Sequence, residues 1–128
     1  MPKTISTKDA PQAIGPYSQA VKAGGLLFLS GQIPLNKEGQ MNDGGFEAQT
    51  RQIFENIQAI LAAESLDFSS VIKINIYLID IGNFDTVNAV MTSLFSEPYP
   101  ARALVQVTAL PKGSEIEVEV VAETSGSG

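Results

Sequence analysis

The segment Pro98-Tyr99-Pro100-Ala101-Arg102 brings an arginine to the start of an apolar stretch that reads as a β-strand. Two prolines stiffen the approach, since each fixes its own φ and neither can donate to a central ladder. An arginine so placed can offer its planar guanidinium fork to a carboxylate or a phosphate. Taken alone, it reads more simply as a solvated strand-end arginine or the partner of a structural carboxylate. Downstream, Glu115-Ile116-Glu117-Val118-Glu119 sets three carboxylates on one face of a strand, about 6.6 Å apart at ~3.3 Å rise per residue. A polar outer face needs nothing more than this. In a cleft, one of the three would have its pKa raised by burial and could handle the protons of a water molecule. Spacing does not choose among them.

Three other places carry weaker signals. Ala13-Ile14-Gly15-Pro16-Tyr17-Ser18 is a loop handing into a strand, where Tyr17 either offers its hydroxyl to a site or packs as an aromatic staple. Ser30-Gly31-Gln32 ends a strand, and Gly31 permits close backbone approach to a ligand or simply a bulge. Asn88 lies on a helix next to the apolar Val87, where an asparagine is ordinarily solvated.

The residues that are missing narrow the chemistry further. The 128-residue chain has no Cys and no His. Thiolate nucleophiles, disulfides, imidazole acid/base catalysis, Ser-His-Asp triads and the usual zinc sites are excluded, leaving a carboxylate or tyrosine as general base. Lys and Arg together number 8, only Arg51 and Arg102 being arginine, and the net charge is -6. That argues against nucleic acid as a partner, because phosphate binding relies on cations. No apolar run approaches the ~20 residues that span a bilayer, and Met1-Pro2-Lys3-Thr4 leads into polar residues with no signal-peptide core. A cytoplasmic protein with no membrane association is the expectation. So is one domain over residues 1–123, with 124–128 (Thr124-Ser125-Gly126-Ser127-Gly128) as a flexible C-terminal tail.

The elements that must position these residues follow from periodicity. Gly24-Gly25 between apolar arms predicts a hairpin running from Tyr17 to Ala23 and from Leu26 to Gln32. Phe46 to Ser65 reads as an amphipathic helix with Ile53, Ile57, Ile60 and Leu61 on one face and Asn42 to Gly45 as its entry. Val71 to Asp80 alternates, with Ile72, Ile74, Ile76 and Leu78 on one face. Phe84 to Phe95 is a second helix, capped by Asn83. Ala101 to Val107 and Glu115 to Ala122 are further strands. Two helices can cover only one face of such a sheet, which predicts an α+β layered domain. By alternation, Val71, Tyr77, Ile79, Val105 and Val107 lie on the uncovered face, and another subunit is expected to bury them.

Taken in order, Ala13-Ile14-Gly15-Pro16-Tyr17-Ser18-Gln19-Ala20, Leu29-Ser30-Gly31-Gln32-Ile33-Pro34, Phe84-Asp85-Thr86-Val87-Asn88, Tyr99-Pro100-Ala101-Arg102, and Leu110-Pro111-Lys112 followed by Ile116-Glu117-Val118-Glu119 resemble the RidA (YjgF) family. The likeness covers nearly the whole chain, including the gaps between motifs. It implies a chorismate-mutase-like mixed β-sheet with two helices packed on one face, and a homotrimer with sites at the subunit interfaces. It also implies hydrolysis of reactive 2-imino acids, formed from enamines that pyridoxal-phosphate dehydratases release, to 2-keto acids and ammonia. No metal and no organic cofactor is implied; the ligands would be small 2-imino and 2-keto acids. Residue by residue, Arg102 matches the arginine that holds the substrate carboxylate, and Glu117 the glutamate that positions or activates the attacking water. Tyr17, Ser30, Gly31 and Asn88 match further positions lining the site. One position departs: many members carry a cysteine close to the ligand, two residues after the arginine, where this chain has Leu104. A leucine side chain cannot hydrogen-bond, so only the backbone there could serve. Two other readings share the fold: an endoribonuclease or translation inhibitor, and a non-catalytic small-carboxylate-binding or chaperone-like trimer.

Overall fold

The computed structural model describes residues 2–124. The elements are β1 (Lys3–Ile5), β2 (Ala20–Ala23), β3 (Leu26–Leu29), α1 (Phe46–Ala62), β4 (Val71–Leu78), α2 (Phe84–Leu94), β5 (Ala101–Gln106) and β6 (Ile116–Glu123), with three short 3-10 turns, Phe68–Ser70, Ile81–Asn83 and Pro111–Gly113. Six strands form one sheet in the order β1-β2-β3-β6-β4-β5. Only β4 and β5 pair in parallel; the other neighbours are antiparallel. This is the expected α+β architecture, a mixed sheet with two helices on one face.

Local chemistry explains the elements. Gly24 and Gly25 have φ of 61° and 78° and close the β2–β3 turn at the Ala23–Leu26 pair, the primed turn that glycine admits without a Cβ penalty. The arms are shorter than the pattern suggests, because the chain leaves the ladder before Tyr17 on one side and after Leu29 on the other. Helix α1 stops at Ala62, three residues short of the expected Ser65. Ser65 has a φ of 58°, and its N–H and that of Leu66 donate back to the Ala62 and Leu61 carbonyls at 3.0 Å. That pair of reversed bonds is a Schellman closure. Asn83 precedes α2 but makes no side-chain cap; Asp80 instead accepts from Gly82 N–H at 2.8 Å and holds the entry turn. The crossover through α2 is what allows β4 and β5 to run parallel. A three-residue β1 pairs with the outer edge of β2, which the polar sequence Lys3-Thr4-Ile5 does not announce.

The core lies between the helices and one sheet face. Ile53, Ile57, Ile60 and Leu61 of α1 and Val87 and Val90 of α2 meet Leu27, Ile74, Ile76, Leu78, Ile116 and Val118, all buried. Each such side chain contributes about 1.5–3 kcal/mol of transfer free energy. In β4 the alternation holds from Ile74 onward but reverses before it. A register shift between Val71 and Lys73 is a bulge, so Val71 is buried at 5% exposure and Ile72 is exposed at 43%. The two therefore stand on the faces opposite to those expected from strict alternation. The uncovered face shows Phe28 at 44% and Val105 at 47% exposure. No described helix is long and apolar enough to cross a membrane. Of the expected tail, Thr124 donates its N–H to the Gly25 carbonyl at 2.9 Å; residues 125–128 lie outside the described residues.

Candidate active site

Glu117 stands on β6 opposite Tyr77 of β4, on the sheet face that the helices leave open. The segment after β3 passes alongside it. Gln32 exchanges two backbone hydrogen bonds with Val118, at 2.8 and 3.1 Å. Between the Phe28–Val121 and Gln32–Val118 pairs the chain advances four residues on one side and three on the other. The extra residue is a bulge around Gly31, and it lays the Gly31 backbone against the Glu117 carboxylate. A Cβ at residue 31 would sit 2.9 Å from Glu117 Cδ and closer still to Oε2. Here the close approach that glycine permits is to a carboxylate of the same chain. Gly31→Ala is therefore expected to push the carboxylate aside and cost roughly 10²-fold in turnover, the usual effect of misplacing a reacting group by about an ångström. Steady-state kinetics beside a thermal melt would check this; native turnover would mean that the position of Glu117 does not matter.

Around Glu117 opens a cleft of about 520 Å³, lined by Tyr17, Ser30, Gly31, Glu117 and Glu119 among others. Gln19 fixes its rim. Buried at 4% exposure, Gln19 accepts from Thr7 N–H at 2.7 Å and donates to the Thr7 and Pro11 carbonyls at 3.1 and 2.7 Å. The Ser30 hydroxyl, at the cleft wall, donates to the Ser18 carbonyl. Tyr17 is half exposed, its ring packed beside Gly15 and its oxygen accepting from Ile14 N–H at 3.4 Å. Burial, then the Glu119 charge, push the Glu117 carboxyl above its usual value. Tyr77, donating to Glu119 at 2.6 Å, has its hydroxyl pushed up to about 12, mainly by that bond.

Arg102 sits elsewhere. It enters β5 opposite Ile74, whose partner on β6 is Val120, so its side chain leaves the sheet on the helix side. There Nη1 donates to Asn88 Oδ1 at 2.7 Å and to Met91 Sδ at 3.6 Å, and the guanidinium lies 5.4 Å from the Phe84 ring centroid. Asn88 is thus not a solvated helix residue; it orients the arginine. Arg102, Asn88 and Met91, with Tyr99 and Pro100, line a second cleft of about 420 Å³. Among the described residues the ion pairs are Lys22–Glu64 and Arg51–Glu47, so neither Arg102 nor Glu117 has a charged partner. Leu104, paired with Ile76, is half-buried and packs against the core, lining neither cleft.

One chain therefore brings Tyr17, Ser30, Gly31 and Glu117 together, and Arg102 with Asn88, but keeps the two groups on opposite sides of the sheet. Sequence reasoning did not single out Tyr77 and Asn75, which both donate to Glu119. Their alternation in register with Lys73 on β4 was the available sign. Among the described residues no three acidic side chains gather to hold a metal ion.

The profile of a family described as endoribonuclease L-PSP matches residues 7–124. A RutC family protein, y4sK of Sinorhizobium fredii, is 48% identical over 122 residues, covering 94% of this chain and 97% of its own. The human 2-iminobutanoate/2-iminopropanoate deaminase is 46% identical over 121 residues, 94% of this chain and 88% of its own. The crystal structure of RidA from an Antarctic Psychrobacter superposes with a TM-score of 0.91 at 46% identity, over 94% of this chain and 98% of that one.

Proposed function

The chain belongs to the endoribonuclease L-PSP family, the RidA (YjgF) family that its motifs resemble, and from that membership and its two clefts we propose that it hydrolyses 2-imino acids to 2-keto acids and ammonia. The observation that carries the reading is Glu117: a half-buried carboxylate laid on a glycine backbone, above its usual pKa, with no ion-pair partner among the described residues. Such a group costs stability and is a better proton acceptor than an ordinary carboxylate.

In this reading Arg102 grips the substrate carboxylate with the donors that Asn88 leaves free, and the iminium carbon faces a water held by Glu117. As the water oxygen bonds to carbon, one water proton passes to Glu117 and the C=N electron pair moves to nitrogen. Glu117 then gives that proton to nitrogen, and as the C–N bond breaks the remaining hydroxyl proton passes back to Glu117 and the C=O bond forms; the departing ammonia takes that proton and leaves as ammonium. Holding an already electrophilic carbon beside an oriented water supplies much of the acceleration. Because Arg102 and Glu117 leave opposite faces of the sheet, the reading requires a second copy. The proposed assembly is a homotrimer in which the uncovered faces, with Phe28 and Val105, are buried and each site takes Arg102 from one subunit and Glu117 from its neighbour.

The endoribonuclease reading fits poorly with a net charge of -6 and two carboxylates in the larger cleft, which repel a phosphate backbone. A purely binding module would use Arg102 and leave the cost of Glu117 without a purpose. The test is a coupled assay: a pyridoxal-phosphate dehydratase releases the imine from serine or threonine, and keto-acid formation is timed with and without the protein. Faster keto-acid release that scales with protein concentration is expected. An unchanged time course would end this reading.

A further inference from the structure

Glu117 shares its cleft with a second carboxylate. Glu119, two residues along β6, projects from the same face and lines the same space. It is firmly held: Tyr77 hydroxyl and Asn75 Nδ2 donate to one and the same oxygen, Oε1, at 2.6 and 3.2 Å. Both donors come from β4, in register with Glu117 and Glu119 respectively. Two donors on one oxygen fix where that carboxylate sits. Among the described residues no side chain donates to Glu117 in this way.

We propose, building on the imine-hydrolase reading, that Glu119 is a positioning residue for that reaction: its carboxylate, held in place by Tyr77 and Asn75, keeps Glu117 able both to take the water proton and to give it back. Imine hydrolysis asks one group for both transfers. A carboxylate of ordinary strength accepts the first proton weakly, and a nearby fixed negative charge corrects this. The other groups facing Glu117 do not supply that charge. Tyr77 and Tyr17 bring phenol hydroxyls, Glu115 is exposed to solvent, and Lys112, from the turn before β6, lines the cleft without an ion pair to either glutamate. In the proposed trimer Arg102 of the partner subunit also faces the site, with its charge balanced by the substrate carboxylate.

The test follows the Glu117 side-chain carboxyl carbon by NMR through a pH titration, in the native protein and in Glu119→Gln, Glu119→Asp and Tyr77→Phe, alongside kcat against pH. In Glu119→Gln the Glu117 midpoint is expected to fall and the acid limb of kcat to move to lower pH. At neutral pH kcat should drop about threefold to tenfold, as expected for a weaker base, with KM unchanged. Glu119→Asp, which keeps the charge, should restore most of the midpoint, and Tyr77→Phe should shift it in the same direction as Glu119→Gln but less. Coincident Glu117 titrations in native protein and Glu119→Gln would overturn the proposal, and so would a loss confined to KM. If native protein hydrolyses no imine, the functional reading fails by itself, while the titration still decides whether Glu119 governs Glu117.

Discussion

Glu117→Gln is expected to lower kcat by about 10²–10⁴-fold, the range for loss of a general acid or base, while making the folded protein more stable at neutral pH. The two effects have one cause. In the folded chain burial and the Glu119 charge raise the Glu117 carboxyl above its usual value of 4.5, so the folded state binds the proton more tightly than the unfolded state does. Ionised Glu117 therefore destabilises the fold at any pH above its folded value, and that cost fades as the pH falls toward 4.5. Glutamine has the same shape and no charge to desolvate. Its gain in Tm over native should be full above the raised folded-state value and shrink steadily on acidification toward 4.5, the reverse of what loss of a stabilising carboxylate would give. Kinetics in the coupled assay and calorimetric melts across that range check both halves. Normal turnover by Glu117→Gln would remove Glu117 from the mechanism; a Tm that drops at neutral pH would show that the carboxylate supports the fold instead.

The same residue shows how far the sequence could be read. The Glu-Ile-Glu-Val-Glu alternation puts the carboxylates on one face, and Glu117 and Glu119 do share it and line one cleft, but it cannot say which is laid against a facing backbone. That choice is made by Gly31, about eighty-five positions earlier in the chain, through the Gln32–Val118 bridge; no local period encodes a pairing of that separation. The helices and β4 were legible because each repeats a buried face over several turns or pleats. The exceptions were local breaks of period: the bulge that exchanges Val71 and Ile72, and the left-handed Ser65 that ends α1 early. β1 was invisible because three edge residues need no apolar pattern to pair. The resemblance pointed to Arg102 and Glu117 together. It could not show that β5 and β6 turn them to opposite faces, which follows only once the register through Ile74, Val120 and Tyr77 is known.

That register yields the sharpest expected result. Arg102→Ala and Glu117→Ala should each be inactive, and a mixture of the two, denatured and refolded together, should recover activity. Within one chain no rotamer change can unite the pair, because Arg102 emerges beside Ile74 and α2 while Glu117 emerges beside Tyr77 on the other face. If each site takes its arginine from one subunit and its glutamate from the next, a hybrid ring always contains one intact pairing. Random 1:1 assembly then restores about a quarter of the sites, half the arginines times half the glutamates, in any closed head-to-tail ring. Arg102→Lys separates charge from shape. It keeps a cation but gives up the planar fork and the bond to Asn88, so a rise in KM of about 10–100-fold is expected, equivalent to one or two charge-assisted hydrogen bonds. A native KM for Arg102→Lys would deny the arginine its anchoring role. A refolded mixture as inactive as its parents would mean that Arg102 and Glu117 do not complete one another's site across subunits, and this fold would then have no need to associate to work.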